Sequence, residues 1–181
     1  MPGKSKAKDK ITRTMLSVQA TPDVGAIRTA EMAGQEYTVI PCVALVEGVL
    51  WPANAPYPEL ALAEEFGRFP EGWDGRPVTL GHPQDADGNP VPANSPNVLE
   101  GVAFGQIFNT KLEGKKLKTE IWINKARATE LGEPFTNAVA RLQDENTVAE
   151  ISTGLFSAGL SSMRKASSGG FKESSVSFAA S

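Results

Sequence analysis

The stretch that decides the fold class is residues 115–123, KKLKTEIWI, in which polar and apolar side chains alternate. This period of two is typical of a β-strand with one face towards a core and the other towards solvent. The buried face should carry Leu117, Thr119, Ile121 and Ile123, and the wetter face Lys116, Lys118, Glu120 and Trp122. The segment therefore predicts a sheet with one protected side.

Other segments supply partners for this strand. Residues 98–109 form a candidate strand that precedes it, with a hairpin turn over residues 111–114. Residues 37–50 (YTVIPCVALVEGVL) are rich in β-branched residues, and Pro41 and Gly48 predict one bent strand or two short ones. Residues 77–80 and 148–156 read as further short strands.

Three short segments have helical character. Residues 59–66 follow a proline-rich bridge and space their apolar side chains as an amphipathic helix does. Asn124 begins a helix over residues 125–131, and a second helix over about 135–142 follows a break at residues 132–134. The predicted fold class is α+β, with a mostly antiparallel sheet or small β-barrel flanked by two or three helices.

The domain organisation predicted from composition has three parts. A chain of 181 residues suits one domain with a real core, which we assign to residues 36–157. Residues 1–35 are expected to be a flexible basic arm, whose lysines suit contact with nucleic acid or an acidic partner, or form a solvated tail. Residues 158–181 are serine-rich and lack alternation, so they are expected to be a disordered tail.

Composition argues against several functional classes. The net charge of −3 is not that of a general nucleic-acid binder, and no apolar run approaches the ~18 residues of a membrane span. Cys42 is the only cysteine, which suits a reducing cytoplasm. One histidine and one cysteine are too few for a closed zinc site, and residues 85–89 (DADGN) lack the later glutamate of a calcium loop. We expect no cofactor and no metal.

His82 is the only histidine and the first candidate for acid–base chemistry. The pKa of a histidine lies near neutrality, which makes it the usual proton carrier in hydrolytic sites. Gly81 and Pro83 fix the backbone on either side of it, at the end of the predicted strand 77–80. The polar loop over residues 84–96 follows and is long enough to act as a lid. The alternative is a surface-loop histidine with no task.

Five segments of the sequence, taken together in their order and spacing, carry a resemblance. They are residues 45–50 (LVEGVL), 73–83 (WDGRPVTLGHP), 105–109 (GQIFN), 118–123 (KTEIWI) and 148–156 (VAEISTGLF). Together they resemble a family of tailed-phage proteins of unknown function that is related to prohead (head-maturation) proteases. The resemblance implies the fold of those proteases, a β-barrel flanked by helices that is shared with herpesvirus assemblins.

The resemblance also implies two site residues. It carries over to His82 as general base and to Ser152 as nucleophile, a pairing in which the imidazole takes the proton of an otherwise weak hydroxyl nucleophile. Thr153 and Gly154 would form a tight turn whose backbone N–H groups stabilise an oxyanion. The alternative for Ser152 is a structural role in a common Ser-Thr-Gly turn.

The chain departs from the family after the serine strand. The family continues with a further strand and an Asp-His pair, whereas this chain has no second histidine. The resemblance therefore implies a member truncated after the serine strand, with one strand fewer in the sheet. The candidates for an orienting carboxylate are Glu150, Asp85, Asp87 and Glu173.

The function implied by the resemblance is that of a phage head-maturation serine endopeptidase, or an inactive relic of one. Its partners would be the phage scaffold protein, the major capsid protein and copies of itself, and it would act inside the assembling prohead in the host cytoplasm. The alternative is a non-catalytic structural or scaffold-associated phage protein that has kept the fold and lost the chemistry.

Overall fold

The protein is described here from a computed structural model, which places residues 12–52, 58–144, 150–159 and 174–179. Eight strands form one curled sheet, and two more form a separate hairpin. The strands are β1 (Thr12–Pro22), β2 (Arg28–Met32), β3 (Gln35–Val46), β4 (Gly48–Leu50), β5 (Glu59–Ala61), β6 (Pro77–Leu80), β7 (Ala103–Glu113), β8 (Lys116–Asn124), β9 (Glu150–Gly159) and β10 (Ser174–Ala179).

The strand order in the large sheet is β1-β9-β10-β6-β7-β8-β3-β2. All of its pairings are antiparallel except that of β10 with β6. The sheet curls far enough for the end of β1 to pair with β3 as well, where Thr21 lies opposite Val43. The predicted α+β class with a mostly antiparallel sheet is confirmed.

Four α-helices accompany the sheet in the described part of the chain, where the sequence predicted two or three. They are α1 (Ala63–Phe66), α2 (Pro96–Gly101), α3 (Lys125–Leu131) and α4 (Glu133–Gln143). Short 3₁₀ turns at Val24–Ala26 and Pro70–Trp73 complete the helical elements. Among the described residues, no helix combines the length and apolar character needed to cross a membrane.

The alternation in β8 has the predicted consequence. Leu117, Ile121 and Ile123 are fully buried, Thr119 is almost so, and the intervening residues remain partly exposed. The buried face packs in one core with side chains from the rest of the sheet and from the helices, which include Phe66, Ile40, Phe104, Ile107, Val139, Leu142 and Ile151. Burial of these apolar side chains is the main stabilising contribution to the fold.

Two local predictions were wrong. Residues 98–101 belong to α2 rather than to a strand, and the hairpin turn after β7 is shortened to Gly114 and Lys115. Residues 59–66 divide into β5 and α1, because Leu60 pairs across the small hairpin with Val49 instead of joining a helix face. The Leu60 side chain is consequently 66% exposed.

The chain ends contribute more to the sheet than the sequence predicted. We expected residues 1–35 to be a flexible arm, yet β1 and β2 begin at Thr12 and Arg28 and both pair with neighbours. Residues 1–11, with most of the basic side chains, lie outside the described residues. The prediction of a flexible arm failed because strand pairing is non-local. Nine residues of β1 pair with residues of β9 that lie more than 130 positions later in the sequence.

The predicted disordered tail over residues 158–181 also needs correction. β9 continues to Gly159, and β10 lies between β9 and β6 and pairs with both. Residues 160–173 and 180–181 lie outside the described part. A further strand after the serine strand is therefore present, and the expected shortening of the sheet by one strand was wrong.

Removal of β10 should be costly because it would leave unpaired edges on both β6 and β9. We expect a chain that ends at residue 173 to lose at least about 2 kcal/mol of unfolding free energy, the net worth of two or three hydrogen bonds, as measured by urea denaturation. Removal of residues 180–181 alone is the matched control. Equal stability of the two shortened chains would contradict the placement of β10.

A second stability prediction concerns Gly105 in β7, which lies opposite Ile123. A Cβ at this position would come within 2.5 Å of the Trp122 carbonyl oxygen and 3.1 Å of the Ile123 Cα, both backbone atoms that cannot move freely. Gly105→Ala should therefore reduce the unfolding free energy by about 1–3 kcal/mol. Gly72→Ala, whose Cβ meets nothing within 4 Å, is the control and should change it much less.

Candidate active site

His82 is positioned by a tight turn at the end of β6. The predicted strand 77–80 is present with the same bounds, and Thr79 Oγ1 donates a hydrogen bond to the Gly81 carbonyl at 2.8 Å. Gly81 adopts a φ of +74°, a left-handed conformation that glycine accepts without strain. On the other side, the Pro83 carbonyl accepts a hydrogen bond from the N–H of Val91 at 3.0 Å. The imidazole is thus held by backbone structure before and after it.

The structure brings Ser152 to this histidine. The Ser152 Oγ lies 3.1 Å from the His82 Nε2, although 70 positions separate the two residues in sequence. Both side chains are half-buried. The juxtaposition predicted from the resemblance is therefore present, at a distance suited to proton transfer between a hydroxyl and an imidazole.

A third polar group, Ser17 of β1, was missed by the sequence reasoning. Its Oγ lies 2.9 Å from the His82 Nε2 and 2.7 Å from the Ser152 Oγ. The two serine hydroxyls and one ring nitrogen thus form a triangle of hydrogen-bonding distances. Nothing local marks Ser17, because it lies in the segment that reads as a flexible arm.

The register of the sheet explains why the two serines meet. In the β1–β9 pair, Gln19 lies opposite Ser152 and Ser17 lies opposite Gly154. Opposite residues, and residues two positions apart on one strand, point to the same face of a sheet, so Ser17 and Ser152 are diagonal neighbours. Gly154 opposite Ser17 carries no side chain that would compete for this space.

The other face of the same strands points into the protein. Thr153 is fully buried, and its hydroxyl donates to the Ala44 carbonyl at 3.0 Å. Ile151 and Ala20 are buried beside it in the core. The site therefore lies on the outer face of the curled sheet, with the core directly beneath it.

The expected turn at Thr153 and Gly154 was wrong. Both residues lie within β9, which pairs with β1 on one side and with β10 on the other at these positions. In a strand paired on both sides, each backbone N–H is directed at one neighbour or the other. These N–H groups are thus part of the sheet and are not free to stabilise an oxyanion.

Burial lowers the pKa of His82 below its ordinary value of 6.5, because the partly desolvated ring disfavours the charged form. Burial therefore favours the neutral imidazole, and a neutral ring can accept a proton. This is the protonation state that a general base requires.

The four carboxylates considered as an orienting group fall into two sets. Asp85 accepts hydrogen bonds at Oδ1 from the N–H groups of Asp87 and Asn89, at 2.9 and 2.8 Å, and so closes its own turn. Asp87 is exposed in the same turn. Glu173 and the side chain of Glu150 lie outside the described residues. The DADGN run is thus an ordinary turn.

Other chemistries have little support in the described residues. No group of three or more histidine, cysteine, aspartate or glutamate side chains there could hold a metal ion. Cys42 is buried in the core, and desolvation raises its pKa to about 12, so its thiol is not a nucleophile at neutral pH.

In comparisons with known proteins, no family model, no curated protein and no solved structure matches this chain. The interpretation of the site therefore rests on its geometry and on the resemblance of the sequence segments.

The lowered pKa of His82 can be measured directly, because a single histidine gives a single set of ring resonances in a proton NMR titration. We expect a midpoint below 6.5 in the folded protein and near 6.5 in urea. Since the unfolded chain takes up the proton first, the free energy of unfolding should fall as the pH drops below 6.5 and stay level above it. His82→Gln should remove this component, and a folded midpoint above 6.5 would contradict burial of the ring.

Proposed function

We propose that this protein is a serine endopeptidase in which His82 is the general base and Ser152 the nucleophile. The observation that carries the proposal is the 3.1 Å contact between the Ser152 Oγ and the His82 Nε2. The sequence contains one histidine, and the fold brings it to a serine from a distant strand. A neutral imidazole at hydrogen-bond distance from a hydroxyl is the minimum apparatus for nucleophilic serine catalysis.

The chemistry follows from this arrangement. The Ser152 Oγ attacks a carbonyl carbon of the substrate as its proton passes to the imidazole, and a covalent acyl-enzyme forms when the leaving amine takes that proton. Water then repeats the sequence with the same base. Burial of the ring lowers the pKa of His82 and so favours the neutral form that acts as a base.

The choice of a peptide as substrate rests on the resemblance to prohead proteases. The half exposure of Ser17, His82 and Ser152 on an outer sheet face is compatible with a polymeric substrate. We accordingly propose the phage scaffold and major capsid proteins, and other copies of this chain, as substrates or partners within an assembling prohead in the host cytoplasm. We also propose that the basic residues near the N-terminus contact nucleic acid.

The alternative function is that of a non-catalytic structural or scaffold-associated phage protein with the same fold. The observation that favours it is the β4–β5 hairpin, where Val49 and Leu60 pair with exposures of 58% and 66% and Trp51 follows at 79%. Adjacent exposed apolar side chains of this kind are typical of interaction surfaces. The two functions predict different reactivity of Ser152.

The test uses a fluorophosphonate, an electrophile that phosphonylates activated serines with loss of fluoride, with intact mass and peptide mapping as the readout. We expect one adduct, on Ser152, and no such adduct in Ser152→Ala. His82→Ala should slow labelling about 10²–10⁴-fold, the usual contribution of a positioned base. Ser95→Ala, which changes a serine on another element, should label as the wild type does.

Cleavage is tested in parallel with a mixture of extended peptides analysed by mass spectrometry. The same dependence on His82 and Ser152 should appear in peptide-bond hydrolysis. A folded wild type that neither takes the label nor cuts any peptide would overturn the endopeptidase proposal in favour of the structural alternative. Labelling without peptide cleavage would retain the hydrolytic site and reject the peptide substrate.

A further inference from the structure

We infer that Ser17 carries the proton from Ser152 to His82, so that the base acts on the nucleophile through a second hydroxyl. This inference rests on the proposed function, since it concerns how the same nucleophile is activated. Ser17 lies within hydrogen-bond distance of both partners: its Oγ is 2.7 Å from the Ser152 Oγ and 2.9 Å from the His82 Nε2. The direct distance from Ser152 to His82 is longer, at 3.1 Å.

The number of available protons favours this path. Each serine hydroxyl has one proton to donate, and the Nε2 of a neutral ring that is to act as a base has a lone pair and no proton. Three contacts among the three atoms therefore share two protons. The two shortest contacts fit a chain in which Ser152 donates to Ser17 and Ser17 donates to His82, with an O–H···O distance at the ordinary value of about 2.7–2.8 Å.

A further contact of Ser152, to a backbone carbonyl, is longer than those of this chain. The Ser152 Oγ lies 3.4 Å from the Val18 carbonyl oxygen, beyond the usual range for a hydroxyl donor. Ser17 itself is held in place by the β1–β9 ladder, where its opposite residue is Gly154. The relay hydroxyl of Ser17 is thus positioned by backbone pairing within the sheet.

The step balances without any further reactant. As the Ser152 Oγ forms its bond to the carbonyl carbon, its proton moves to the Ser17 Oγ, and the proton of Ser17 moves to the His82 Nε2. The π electrons of the carbonyl go to its oxygen. When the tetrahedral intermediate collapses, the leaving amine takes a proton from the imidazolium, and Ser17 has regained a hydroxyl proton from Ser152.

The experiment measures fluorophosphonate labelling rates of the full chain in mixtures of H₂O and D₂O. A relay moves two protons in one step, so the rate of the wild type should curve with the deuterium fraction. Ser17→Ala should label about 10²-fold more slowly, at the low end of what positioned proton transfer contributes, and with a linear dependence. Ser17→Thr retains the hydroxyl and should restore both the rate and the curvature.

The outcomes separate the relay from the proposed function. Labelling of Ser152 that is as fast in Ser17→Ala as in the wild type would overturn the relay and leave the endopeptidase proposal intact. A linear dependence in the wild type would do the same, even if Ser17→Ala failed to fold. An adduct on Ser17 itself would reject the relay by making Ser17 the nucleophile. A wild type without any adduct would overturn both.

Discussion

The interaction on which the site depends is the double pairing of β10, which runs parallel to β6 and antiparallel to β9. Neighbouring strands lie about 4.8 Å apart, so β6 and β9 are separated by roughly 10 Å with β10 between them. His82 follows the end of β6, and Ser152 is in β9. The imidazole must therefore reach back across β10, and the left-handed turn at Gly81 allows the chain to present it in that direction.

The same sheet also affects how far the site is desolvated. Its inner face is filled by side chains such as Ile151 and the fully buried Thr153, which leaves the outer face of β9 directly above an apolar core. A ring that rests on such a surface loses part of its hydration, and its charged form becomes less favourable. Partial burial of the ring lowers the pKa of His82, while the two hydroxyls remain half-exposed and accessible. The half-buried position of the site thus both lowers the pKa of the base and leaves the two serine hydroxyls accessible to a substrate.

Much of the fold was predictable because it depends on local patterns. The period of two in β8 identified its buried face correctly, and β6 has the predicted bounds. The helix α3 begins after Asn124, whose side chain accepts a hydrogen bond from the N–H of Arg127 as an N-cap residue does. Residues 59–66 were mistaken for one helix because apolar spacing over so few residues fits a strand followed by a single helical turn equally well.

The strands near the chain ends could not be predicted from local patterns, because a polar strand is recognisable only from the strands with which it pairs. β10 contains three serines among six residues, yet every position from Ser174 to Ala179 has a partner in β9. Propensity scales rank such a segment low, but two neighbouring strands with open edges gain hydrogen bonds from it. Tertiary pairing then outweighs local preference.

Ser17 illustrates the same limit of sequence-based prediction, here for a residue of the site. His82 could be singled out as the only histidine in the sequence, and Ser152 through the resemblance of its segment to the prohead-protease family. Ser17 becomes visible only once the β1–β9 register is known, and a shift of one residue in that register would turn its side chain to the opposite face. Ser17 joins the site only through strand pairing between segments 135 positions apart. A search of the sequence for carboxylates that could orient His82 could not have found it.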